Sequence, residues 1–353
     1  VCGGISQCVS DSGYYEIVLR YKEALSERVS SIVRVSPGSI AKDIRVVETD
    51  QDLHAFWTEI SAEPDEALLD RPEGNDSAVV LRSWREKDKV NARWSRPDTV
   101  IQGEHLVSSD LSVATLGREM HVIVPVTADE HVSVRYLVIN GRQRAREHSL
   151  PISGLGYPQV AAMRDSIFLS FTGTIGAHAR GQQYFDRKAD DSNNVFMISK
   201  ARASVDWSKP FLVVDTGNRT AHNLSVSRAE DSLFVTFIDE ESRSIRSVRR
   251  AYVYEPNRIE TLFELKPRPS TGTHVSTFTN RSDVLVAELG VNANSFYHHK
   301  GDSEPVHKVG GHAAKEPYIV LSPTSYFLGQ TPCVAYTLAA LQDSTVQIQS
   351  TCF

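Results

Sequence analysis

Three features of this sequence predict an all-β fold, a six-bladed β-propeller of four-stranded blades whose ring is closed by an N-terminal strand. Six segments repeat one pattern: a strand, a tight polar turn, and a second strand rich in Val, Ile, Leu or Phe. A third strand follows in every unit, and a fourth in all but the last. The leading residues hold spare strands that match what the last unit lacks. No long helical period interrupts the series.

The opening hairpins of the six units are 45–57, 113–124, 160–170, 225–237, 276–287 and, more loosely, 318–336. Acids, Arg, Asn and Ser occupy their turns, where a hairpin needs polar residues. The second strands are apolar, as buried strands are. Third strands are expected at 78–84, 132–138, 194–200, 244–253, 295–300 and 344–349, and fourth strands at 99–102, 148–152, 211–215, 260–265 and 305–309. Segments 14–21 and 30–35 read as a hairpin, one strand of which can complete the sixth blade. The whole chain, 1–353, is then one domain: closing strands in 1–43 and blades beginning near 44, 111, 157, 222, 274 and 314. Radial repetition leaves only short, protected sheet edges.

The chain has 353 residues, 41% hydrophobic and 23% charged, a globular balance that excludes a disordered or fibrous polypeptide. No run approaches the ~18 apolar residues of a membrane-spanning helix. The net charge of −6 and the lack of a face-wide basic stripe argue against nucleic acid as a partner. Arg243, Arg246, Arg249 and Arg250 alternate with Ser and Val, as on a solvated strand edge. The cysteines, Cys2, Cys8, Cys333 and Cys352, lie near the two ends and lack metal-ligand spacing, so zinc is not expected. Their even number predicts disulfides and an oxidising compartment. A crosslink between the termini and the local pairs Cys2–Cys8 and Cys333–Cys352 both fit the spacing. The first residue is Val, which fits removal of a leader peptide. Asn75, Asn218, Asn223 and Asn280 stand in N-x-S/T glycosylation sequences. Secretion or surface display is therefore expected.

Trp94-Ser95-Arg96-Pro97 and Trp207-Ser208-Lys209-Pro210 each fall between an expected third and fourth strand, about two blades apart. The aromatic can pack under an outer turn while Pro, lacking an N–H, starts an edge strand. Propellers of the sialidase type carry Asp-boxes, Ser-x-Asp-x-Gly-x-Thr-Trp, at this place, often followed by Ser-x-Pro. Here the stretch ending at Trp207 reads Lys-Ala-Arg-Ala-Ser-Val-Asp-Trp, and of the box only Trp survives. The chain resembles a degenerate sialidase-type propeller. It is similar in this to trypanosomatid trans-sialidase-like surface proteins and to the apicomplexan cysteine-rich protective antigen.

The resemblance implies where glycan chemistry would reside: an arginine triad clamping a carboxylate, a Tyr nucleophile activated by Glu, and an Asp acid/base. Arg45 matches the arginine at the start of the first blade, although Arg45-Val46-Val47 lacks the Pro of the family. Tyr318 matches the nucleophile. The acid should fall near Thr58-Glu59, where Asp is missing; Gly156-Tyr157-Pro158 stands in place of Ser-Glu-Pro; and Ala287-Glu288-Leu289-Gly290 offers no arginine. An unactivated Tyr with an incomplete clamp supplies little transition-state stabilisation.

No other motif fills the gap. Adjacent His298 and His299 face opposite sides of a strand, and 190–194 lacks the Gly and the closing Glu of a calcium loop. Neither a metal nor a cofactor is expected. The insertion 173–193 is the longest within a unit and carries Tyr184 and Phe185, an aromatic pair suited to anchoring a partner. The acidic segment 61–77 reads as a solvated linker. Together these readings favour a secreted or surface-displayed, non-catalytic propeller. It would bind other surface or secreted proteins as a scaffold or adhesin, for example in an assembly that enters host cells. The alternatives are a sialidase-like glycosidase and a glycan-binding lectin.

Overall fold

The computed structural model describes residues 4–9, 15–23, 26–34, 39–61, 77–87, 89, 92–104, 111–128, 131–151, 156–173, 194–214, 221–229, 232–239, 244–251, 259–264, 274–280, 283–290, 293–299, 307–313, 318–328, 331–340 and 346–352. Side chains are described for part of 45–237. Among them every regular element is a β-strand and every pairing is antiparallel. Among the described residues no helix is long and apolar enough to cross a membrane.

The first sheet is β1 (Gly4–Val9), β2 (Tyr15–Glu23) and β3 (Ser26–Arg34). Five four-stranded sheets follow. They comprise β4 (Ser39–Glu48), β5 (Asp52–Ser61), β6 (Ser77–Glu86) and β7 (Asp98–Glu104); β8 (Ser112–Leu116), β9 (Glu119–Ala128), β10 (His131–Asn140) and β11 (Arg146–His148); β12 (Gly156–Met163), β13 (Ser166–Gly173), β14 (Asn194–Ala201) and β15 (Phe211–Val214). Next come β16 (Ala221–Ala229), β17 (Ser232–Asp239), β18 (Ser244–Ala251) and β19 (Ile259–Glu264), then β20 (His274–Asn280), β21 (Asp283–Gly290), β22 (Ala293–His299) and β23 (His307–Ala313). The last sheet has three strands, β24 (Tyr318–Leu328), β25 (Thr331–Ala340) and β26 (Val346–Cys352). The first strands β4, β8, β12, β16, β20 and β24 lie side by side in succession. This stacking of antiparallel four-stranded sheets is that of a β-propeller.

The alternation of side chains explains the stacking. Along β9, Met120, Val122 and Val124 pack with Phe56, Val80 and Ile101 of the preceding sheet, whereas Ile123 packs with Leu169, Phe171 and Ile198 of the following one. Along β14, Phe196 and Ile198 face back and Val195 and Met197 face forward, onto Leu233, Val235 and Phe237. A strand of period two with apolar residues on both faces belongs to a sheet covered on both sides. The apolar second strands of the repeat are this inner layer.

A β-bulge recurs at one place in four of the sheets. It interrupts the pairing of first and second strands between Lys42 and Arg45, Gly156 and Gln159, His222 and Ser225, and Leu321 and Thr324. In the third sheet of the β4–β23 series, counting β12–β15 as third, Tyr157 takes a left-handed φ of 47° on the bulge, ahead of Pro158. That conformation is uncommon for a side chain of this size. The neighbouring Gly156 is obligatory for a separate reason, because a Cβ there would meet the Thr172 Oγ1 at 2.5 Å.

Several expectations shift. The fourth strand expected at 148–152 is the short β11, Arg146–His148. Gly141, at φ 54°, turns the chain tightly after β10, so Arg146 returns beside Val138 earlier than the apolar pattern implied. β18, which carries Arg246, Arg249 and Arg250, is no edge: β17 and β19 pair with it on both sides. The expected N-terminal hairpin is present as β2 and β3, but β1 adds a strand that Gly4 and its polar neighbours concealed. The hydrogen-bonded lacing of this segment into the last sheet is not among the described pairings: β1 pairs with β2, and β26 with β25. β1 nonetheless runs beside β26.

Candidate functional site

In an antiparallel sheet of four strands, the connections between first and second and between third and fourth strands lie at one end. At that end of the β4–β7 sheet, Asp52 of β5 stands directly opposite Glu86 of β6. Two carboxylates so placed repel. Arg142, in the turn after β10 of the next sheet, resolves the conflict. Its Nε and Nη2 donate to the two Asp52 carboxylate oxygens at 3.1 and 2.8 Å, and Nη2 also donates to Glu86 Oε1 at 3.2 Å. The guanidinium lies 3.9 Å from the centre of the Trp84 ring, in cation–π contact. Hydrogen bonds from Lys89 and then Arg142 hold the Glu86 carboxyl below the usual carboxylate range.

A second guanidinium is buried nearby. Arg82, 1% exposed, forms an ion pair with Asp98, its partner across β6 and β7, and donates to the carbonyls of Gly141 and Gln143, each at 3.1 Å. Between these groups lies His54, fully buried, with no hydrogen-bond partner on either ring nitrogen among the described residues. Burial above all, then the positive field of Arg82, pushes its pKa down to about 4 against the opposing pull of Asp52 and Asp98. His54 is therefore neutral near pH 7. Both arginines, Arg82 buried and Arg142 exposed, are committed to the protein's own carboxylates and carbonyls, so the cluster clasps two sheets together and leaves neither fork for a ligand carboxylate.

The next seam is built differently. His121 Nδ1 and the Tyr136 hydroxyl are hydrogen-bonded at 2.6 Å, and Trp207 meets the Tyr136 ring edge-on at a centroid distance of 5.3 Å. Burial first, then Lys200, pushes His121 down to about 4, and burial pushes Tyr136 up. At 1% exposure Tyr136 is closed to any substrate.

The two Trp-Ser-x-Pro segments make the same local structure. Ser95 N donates to Trp84 O at 2.8 Å and Trp84 N to Ser95 Oγ at 3.1 Å; Ser208 N donates to Ser199 O at 2.7 Å and Ser199 N to Ser208 Oγ at 2.9 Å. Each serine thus closes the end of a third strand by main chain and side chain together.

The residues matched to glycan chemistry are dispersed. Arg45 is half-buried on β4, just past the bulge and opposite Phe56. Tyr318 begins β24, opposite Ala340. Aligned on their bulges, Tyr318 stands level with Ser39, six residues before Arg45 and so ~20 Å from it along the strand direction. One carboxylate whose burial the sequence reading did not anticipate stands at the bulge end of β5, where the resemblance puts the acid: Glu59, 6% exposed, accepts a hydrogen bond from Trp57 Nε1 at 3.0 Å. The i, i+2 spacing of Trp57 and Glu59 was the available signal. Tyr157 packs against the apolar cluster that contains Leu233 and Phe237. His298 and His299 pair with Leu285 and Val284 on β22. No group of three His, Cys, Asp or Glu side chains suited to a metal occurs among the described residues. Tyr184, Phe185, Asn75, Asn218, Cys2 and 190–193 lie outside the described residues. Asn280 ends β20 beside its turn, and Asn223 sits on the bulge of β16, next to buried Leu224.

No family model and no curated protein sequence matches the chain. Solved structures do. A neuraminidase-like protein from A/bat/Guatemala/164/2009 superimposes with a TM-score of 0.53 at 10% identity, covering 88% of each chain. A subtype N10 neuraminidase-like protein of A/little yellow-shouldered bat/Guatemala/060/2010 gives 0.50 at 8% identity, over 89% of this chain and 92% of the other. At such identities the likeness is one of fold, and the fold is a sialidase-like propeller.

Proposed function

We propose that the chain is a six-bladed propeller that binds a macromolecular partner and does not turn over a glycan. In this reading the ring closes between the last blade and the first; the proximity of β24 to β4, and of β1 to β25 and β26, supports it. The protein acts outside the cell or on its surface as a scaffold or adhesin, and its partner is another secreted or surface protein presenting an acidic face.

One observation carries this reading: the turn end of two successive sheets is lined with uncommitted guanidinium groups. Arg93 and Arg96 before β7, Arg118 between β8 and β9, and Arg144 and Arg146 around β11 are all exposed and have no ion pair among the described residues. The sheets share this end, because Arg142 reaches Asp52 and Arg202 reaches Glu119 at 3.8 Å. Acids of the same end are largely occupied: Asp52 and Glu86 by Arg142, Asp98 by Arg82, Glu48 by Lys87. A locally cationic rim on a chain of net charge −6 favours an anionic partner, and guanidinium forks suit carboxylates.

The test has two arms. Incubated with a fluorogenic sialoside, the protein should release no fluorophore; turnover abolished by Tyr318→Phe would reinstate the glycosidase. In a pull-down from its source, the combined variant Arg96→Glu, Arg118→Glu, Arg144→Glu and Arg146→Glu should lose the partner that the unmodified chain retains. Retention by the variant would remove this surface from the interface, and binding on a glycan array would favour the lectin.

A further inference from the structure

We infer that Cys333 and Cys352 form a disulfide that staples β26 to β25. The two cysteines occupy directly opposite positions in the pairing of these strands. The register is unbroken from Ala339↔Val346 to Cys333↔Cys352, without the bulge that interrupts β24 and β25, so no slip displaces them. Residues opposite one another in an antiparallel pair share a face of the sheet, with Cα atoms about 4.5–5.5 Å apart. That lies inside the range of about 4.4–6.8 Å that a disulfide bridges.

The other cysteines offer no comparable pairing. Cys8 stands opposite Glu16 on β2. Cys2 lies outside the described residues. The position also gives the bond a purpose. β26 is hydrogen-bonded only to β25 among the described residues, in a sheet with one strand fewer than its five predecessors. A covalent tie holds a strand whose other ladder is missing, and it shortens the loops open to the unfolded chain.

The oxidant required is a small-molecule disulfide such as glutathione disulfide. One cysteine thiolate attacks a glutathione sulfur and releases one glutathione thiolate. The second cysteine, as thiolate, attacks the mixed disulfide and releases the other. Two protons and two electrons leave the pair, and one glutathione disulfide becomes two thiols.

The full chain is equilibrated in a glutathione redox buffer, alkylated with iodoacetamide, digested without reductant and analysed by mass spectrometry. The expected product joins the Cys333 and Cys352 peptides, two hydrogens lighter than their sum, with neither cysteine alkylated. Cys333→Ser should free Cys352 for alkylation and leave Cys2 and Cys8 as they were; Cys352→Ser should do the converse. Reductant should lower the melting temperature of the unmodified chain and leave that of either variant where it is. A crosslink from Cys333 or Cys352 to Cys2 or Cys8, or full alkylation of both in oxidising buffer, would overturn the assignment. The mass measurement on the unmodified chain stands even if a variant fails to fold, and it does not depend on what the propeller binds.

Discussion

The seam between the β4–β7 and β8–β11 sheets and the seam between the β8–β11 and β12–β15 sheets join equivalent faces by unlike means. The first places two arginines, two aspartates and a neutral histidine at its turn end, beside an apolar layer of Phe56, Val80, Val122 and Leu137. The second is apolar across its depth, from Ile123 through Leu169, Phe171 and Phe196, and closes with Tyr136 and Trp207. An ionic contact between these sheets, Arg202 to Glu119 at 3.8 Å, is long and lies at the surface. The repeat therefore specifies a shape and leaves the chemistry of each contact free. Dispersion and water exclusion hold the second seam wherever the sheets meet; the clasp of the first demands particular partners and penalises the loss of one.

The largest expected effect is on the apolar seam. Phe171→Ala empties a fully buried site stacked on Phe196 at a ring distance of 6.0 Å and should cost about 3–5 kcal/mol. A urea midpoint lowered by less than the equivalent of about 1 kcal/mol would mean that the two sheets collapse onto the void, and that this seam is no tighter than a loop contact.

Acidification should weaken both seams. His54 and His121 have folded pKa values of about 4, below the ordinary 6.5. The unfolded chain then binds protons more readily than the folded one, so stability is full above pH 6.5 and declines as pH falls towards 4. Each histidine accounts for about 3 kcal/mol of that loss. His54→Phe should flatten part of the decline in urea midpoint between these limits. An unchanged slope would show that His54 is protonated inside the clasp.

Arg82→Met comes next. It removes the ion pair and leaves the Gly141 and Gln143 carbonyls without their donor, but Asp98 is 44% exposed and can be resolvated. The discounted cost is roughly 2 kcal/mol. The same variant sharpens the contrast between seams. Without Arg82 the pKa of His54 should rise, while that of His121, across the next seam, stays put; an NMR titration of both imidazoles checks this. A rise at both would mean that the sheets move together.

The fold was legible because its signals are local. Hairpin turns, apolar second strands and the Trp-Ser-x-Pro pair place nearly every strand, and the hydrogen bonds of Ser95 and Ser208 vindicate the reading of a repeat. The clasp was not legible, because Asp52 and Arg142 are 90 residues apart and each alone looks like a surface charge. Arg82 hid in the same way, inside a strand whose face also carries Val80 and Ala78. The bulges mislead differently. A one-residue excess on the first strand carries no residue signature of its own, so sequence matching placed Arg45 and Tyr318 without showing that they stand on opposite sides of it.

The smallest effect tests whether the two motifs are one device. Ser95→Ala and Ser208→Ala each strip one side-chain acceptor from a third-strand N–H, Trp84 in one case and Ser199 in the other, and each should cost about 1 kcal/mol. The sites belong to different sheets and share no partner, so the double variant should lose the sum. Ser83 complicates the first site, since its hydroxyl donates to the Ser95 carbonyl at 2.8 Å and lies 3.4 Å from Ser95 Oγ. With Ser95 truncated, Ser83 still ties the connection to the strand through that carbonyl. Ser208 has no such neighbour among the described residues. Ser95→Ala should therefore be the milder of the two in thermal denaturation. A larger loss at Ser95 would place the strength of the motif in the charged seam beside it, where Trp84 carries Arg142, and not in the serine itself.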